Sequence, residues 1–62
     1  MLTPLELEVL WGLIRGYSAA YNATQLGITV REEQAIQMSL MNKLKVNHTA
    51  DLVRIGLEAG IE

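Results

Sequence analysis

The chain has no cysteine, which removes a disulfide framework and a thiolate metal site from consideration. It also lacks a signal-like start and any long apolar run, so it carries no secretory or membrane address, and a reducing cytoplasm is the expected compartment. Internal repeats and low-complexity segments are missing too. Positive charge is scarce: the fixed cations are Arg15, Arg31, Lys43, Lys45 and Arg54, opposed by seven acids for a net charge of -2. Nucleic-acid binders normally carry a cationic surface that displaces counterions from phosphates, so any DNA affinity should be modest and sensitive to salt. Sixty-two residues hold one core and leave no room for a second lobe around a substrate, which argues against an enzyme.

What is present is apolar surface at helical spacing, in a chain that is 50% hydrophobic and 19% charged, a balance suited to packing and unlike that of a disordered tail. Residues 1–62 read as a single all-α domain, a four-helix bundle with helices over about 4–15, 18–26, 30–45 and 49–59. Thr3 as N-cap, Pro4 at the first helical position and Glu6 three residues after the cap open the first helix, which runs to about Arg15 with Gly16 as its stop. Leu5, Val9, Leu10 and Leu13 form its core stripe, and Leu7, Trp11 and Ile14 a second apolar one. Ser18 opens a short second helix, of unusual polar content, that Gly27 closes. Thr29 with Glu32 repeats the capping signature and starts a third helix reaching Lys45, with Val30, Ile36, Leu40, Met41 and Leu44 inside. Asn47 and His48 interrupt the pattern, Thr49 caps again, and a fourth helix ends at Gly60.

Leu2-Thr3-Pro4, Glu8-Val9-Leu10, Gly16 with Ser18, Leu26-Gly27-Ile28, Lys43-Leu44 with Val46, and Asp51-Leu52-Val53 together resemble the LuxR/GerE-type helix-turn-helix domain of bacterial transcription regulators, in that order and over nearly the whole chain. The resemblance implies a fold in which the third helix lies in the major groove, the second braces it, and the fourth pairs with its twin in a homodimer. It also implies a receiver or ligand-sensing domain elsewhere in most members. A complete chain of this kind is expected to be a constitutive regulator or a piece that regulates a larger protein by binding it, and an excised one to have its signal input in the missing part.

The departures from the family pattern cluster on the surface that would meet DNA. The usual Lys-Glu-Ile of the second helix falls on Ala20, Tyr21 and Asn22, so a cation is lost and an aliphatic position is polar. In the third helix the Thr-Val pair falls on Glu32 and Glu33, the following basic residue on Gln34, and the histidine on Ile36. The outward face becomes Arg31, Gln34, Ala35, Met38 and Asn42. Gln34 suits adenine, Ala35 or Met38 a thymine methyl, and Arg31 a phosphate or guanine. The same side chains also fit a merely tolerant surface, with one cation beside two acids.

Two function classes follow. In the first, a transcription regulator binds DNA with Arg31, Gln34, Ala35 and Met38 facing the bases. Lys43, Lys45, His48 and Thr49, with backbone amides at the starts of the second and fourth helices, hold phosphates. Ala50, Val53 and Leu57 form the dimer seam. In the second, a degenerate helix-turn-helix serves as an adaptor or anti-activator, using Leu7, Trp11 and Ile14, or the altered face of the third helix, to capture a transcription factor or polymerase subunit. No metal or cofactor is implied: His48 has no partners at metal spacing. Helix-dipole stabilisation accounts for Glu32 and Glu33, Tyr17 and Tyr21 cover the core edge, and Met41 fills the core. Asn22 either hydrogen-bonds within its own turn or marks altered packing of the second helix.

Overall fold

The computed structural model describes residues 1–60 and consists of four helices: α1 (Pro4–Ile14), α2 (Ala19–Leu26), α3 (Val30–Leu44) and α4 (Thr49–Glu58). No strand occurs among the described residues, and the molecule is an all-α bundle with a helix-turn-helix at α2–α3. Thr3 and Thr29 each close a full capping box with Glu6 and Glu32, and the Ser18 hydroxyl accepts from the Tyr21 amide. Each satisfies an amide that the first turn leaves without an intrahelical acceptor. Gly27 ends α2 in the left-handed region at φ 68°, which lets the chain turn sharply into α3.

Two ends differ from the sequence expectation. Helix α3 stops at Leu44, and Lys45 is its C-cap in the left-handed conformation, φ 58°, so a non-glycine residue makes the turn. Helix α4 is capped by His48, which makes no side-chain cap hydrogen bond, and Thr49 is already its first residue. The Thr49 hydroxyl instead donates to Gln37 Oε1 at 3.3 Å, which takes it away from the cap.

The core is Val9, Leu10, Leu13, Leu40 and Leu52, with Ile36, Met41, Leu44 and Val53 among the half-buried residues packed on it. Helix α1 touches all three other helices. Its closest approaches depend on two glycines: a Cβ on Gly12 would strike the Asn22 side chain of α2, and a Cβ on Gly56 of α4 would strike Ile14 Cδ1. Small residues there let the helix backbones approach where a larger one would force them apart.

Leu5 and Val30, expected on inner faces, are exposed instead, at 39% and 42%. Carboxylates occupy the inner positions: Glu6 on α1 and Glu33 on α3 are both buried. Buried carboxylates are tolerated only when hydrogen bonds replace lost water, and both are so supplied.

Candidate nucleic-acid interface

Helix α3 divides cleanly along its length. Glu33 and Leu40 are buried, Ile36, Gln37, Met41 and Leu44 are half-buried, and Arg31, Gln34, Ala35, Met38 and Asn42 are exposed on one side. The four residues proposed to face bases, Arg31, Gln34, Ala35 and Met38, therefore share an accessible face, and Met38 is 68% exposed.

Neither of the adjacent acids lies free on that face. Glu32 Oε1 accepts from the Thr29 amide at 2.9 Å, and hydrogen bonds from that amide and the Thr29 hydroxyl lower its pKa. Glu33 is fully buried, so the helix-dipole account of it is replaced by a cross-helix one. Asn22 Nδ2 donates to Glu33 Oε2 at 3.2 Å and to the Val9 carbonyl at 3.0 Å, while Gln37 Nε2 lies 2.9 Å from both Glu33 oxygens. With Thr49 on Gln37, hydrogen bonds link all four helices. Asn22 thus acts across helices, not within its own turn. Two polar residues at positions where the family resemblance leads one to expect Ile and Val turn out to satisfy each other. Considering those replacements as a pair, eleven positions apart, was the available signal.

The cations are mostly engaged. Lys43 Nζ lies 2.8 Å from Glu6 Oε1 and 3.4 Å from the Met1 carbonyl. Ser39 Oγ donates to Glu6 Oε2 at 2.7 Å, and the Thr3 amide donates to Oε1 at 2.8 Å. Led by the Lys43 hydrogen bond, these contacts hold the Glu6 carboxyl down at about 2. Lys43, expected at a phosphate, is thus also a structural ion-pair partner with its side chain 39% exposed. Arg54 pairs with Asp51 at 3.6 Å and Glu58 at 3.2 Å. Arg31 and Lys45 form no ion pair among the described residues. Lys45, His48 and Thr49 are exposed together in the α3–α4 turn.

On α4, Ala50 and Leu57 of the expected seam are exposed, Leu57 at 60%, whereas Val53 is half-buried against the core. The second stripe of α1 does not stand outward as expected. Leu7 and Trp11 are half-buried, and Ile14 packs on the core and lies over Gly56 because α1 and α4 approach so closely there. Tyr17 and Tyr21 form an edge-to-face pair with centroids 4.7 Å apart; Tyr17 is half-buried and Tyr21 exposed. Among the described residues, no helix is long and apolar enough to cross a membrane.

Over 60 residues the chain is 33% identical to the transcriptional regulatory protein FixJ of Bradyrhizobium diazoefficiens, an alignment covering 97% of this chain and 29% of FixJ. The chain thus spans well under half the length of that relative. No family model matches the sequence, and no solved structure matches it.

Proposed function

We propose that the chain is a small non-enzymatic regulator of bacterial transcription, acting in the cytoplasm, that binds double-stranded DNA through α3 and pairs with a second copy through α4. The observation that carries this reading is the outward face of α3. It presents Arg31, Gln34, Ala35 and Met38 with Glu33 buried behind them and Glu32 hydrogen-bonded through Oε1 to the Thr29 amide, although Glu32 remains exposed. Burial of Glu33 takes one of the two acids off that face, while Glu32 stays charged at its edge. The similarity to a transcriptional regulatory protein agrees with it.

Phosphates are held by Lys45, His48 and Thr49 beside α3, by the remaining N–H of Lys43, and by the first amides of α4, which has no side-chain cap. Ala50 and Leu57, with the edge of Val53, form the seam between copies. The adaptor reading has less behind it, since the stripe of Leu7, Trp11 and Ile14 is half-buried and Ile14 is committed to the bundle. Fluorescence anisotropy on a random-sequence duplex tests the proposal. Binding at low salt that weakens steeply as salt is added supports it, and no binding at low salt refutes it.

A further inference from the structure

We infer that the major-groove site read by α3 is A·T-rich, recognised through adenine edges and thymine methyls with little contribution from positive charge; this rests on the DNA-binding reading above. The inference comes from the order of side chains on the exposed stripe. Gln34, Met38 and Asn42 stand four residues apart, all exposed. At about 1.5 Å of rise per residue the stripe spans roughly 12 Å, which matches three to four base-pair steps of about 3.4 Å.

Each group has a defined complement in the groove. The carboxamides of Gln34 and Asn42 each offer a donor and an acceptor in the geometry that pairs with N7 and N6 of adenine. The thioether of Met38 and the methyl of Ala35 have no polar complement, and the only apolar feature on the major-groove edges is the thymine C5 methyl. No carboxylate that would accept from cytosine N4 stands on the stripe itself: Glu33 is inside, and exposed Glu32 lies ahead of Gln34 in the first turn with Oε1 on the Thr29 amide. The one group suited to guanine is Arg31, at the N-terminal end of α3. One G·C pair at one edge of an otherwise A·T step is therefore the pattern this face complements. The outward residues of α2, Ala20, Tyr21, Thr24 and Gln25, carry no charge and do not alter it.

The test is selection of duplexes from a random pool at low salt, followed by anisotropy on the selected duplex and on the same duplex with deoxyuridine in place of thymidine. That replacement deletes only the C5 methyl and keeps base pairing. Selection should enrich A·T pairs over three to four consecutive steps, and uracil should weaken binding about fourfold for each methyl contacted. Met38→Ala, at an exposed position where the fold is not at stake, should abolish the uracil effect at one position, and Gln34→Ala should relax A·T preference at another by roughly fivefold or more. Binding that is indifferent to uracil, or enrichment of G·C steps, overturns the inference while leaving DNA binding in place. Failure to bind any duplex at low salt overturns the DNA-binding reading itself and this inference with it.

Discussion

The buried pair Asn22 and Glu33 offers a sharp test of how the bundle tolerates polar groups in its interior. Replacing Asn22 by Leu, the apolar residue nearest to it in shape, deletes two buried hydrogen bonds, to the Val9 carbonyl and to Glu33 Oε2. The first is worth about 1 kcal/mol and the second, to a carboxylate, about 1.5–3 kcal/mol. Leucine returns about 1 kcal/mol by burying more apolar surface, so the net loss is about 1.5–3 kcal/mol. Replacing Glu33 by Met instead leaves Asn22 its bond to Val9, lets half-buried Gln37 turn to water, and removes a buried charge. It also strands the second Nδ2 hydrogen of buried Asn22, so its net cost is about 1–2 kcal/mol. The double variant leaves no polar group stranded, because the Val9 carbonyl lies inside α1 and keeps its helical donor. It should therefore match or exceed the original stability, giving a coupling of about 3 kcal/mol in the double-mutant cycle. Thermal melts followed by circular dichroism resolve this. For a domain this size Asn22→Leu should lower Tm by roughly 10–20 °C, and Asn22→Leu/Glu33→Met should restore it. If the double variant loses as much as the two single losses summed, the reasoning is wrong.

Three further outcomes are expected. The Glu6 carboxyl titrates at about 2, below its ordinary 4.5, so its stabilising contribution is complete above pH 4.5 and is lost as pH falls from there toward 2; in melts across that range Glu6→Gln should flatten the acid limb. Lys45→Gly relieves a left-handed lysine and should raise stability by about 1 kcal/mol, while reducing the salt slope of DNA binding by about 0.9; a fall in stability would contradict the backbone argument. Gly56→Ala should destabilise by about 1–3 kcal/mol despite gaining about 1 kcal/mol of helix propensity, because the new methyl meets Ile14. Trimming Ile14 to Val should recover part of that loss, and a Gly56→Ala variant that melts higher than the parent would show the helices are free to separate.

The local signals in this sequence were legible because they act over three or four residues. Thr3 with Glu6, Thr29 with Glu32, Ser18 and Gly27 each marked the end they occupy. Recognition-face exposure also followed from the helical period, as Arg31, Gln34, Ala35 and Met38 show. What remained hidden was nonlocal. Glu6 satisfies its cap and, with its other oxygen and the same carboxylate charge, anchors Ser39 and Lys43 from far along the chain. No spacing rule connects them. Leu5 and Val30 misled for the complementary reason: hydropathy assigns the apolar residue to the inside, and only the three-dimensional partners of Glu6 and Glu33 make the charged neighbour the better occupant. His48 as a helix cap without a side-chain bond was equally invisible, since Thr49 fits the rule better and is diverted by Gln37.

The carbonyl of Met1 lies 3.4 Å from the Lys43 ammonium, close to the C-terminal end of α3. Any polypeptide joined ahead of that first residue emerges alongside α3. A purification tag placed there is an electrostatic neighbour of α3, and a histidine-rich or acidic one would distort the very salt dependence that tests the proposed DNA binding.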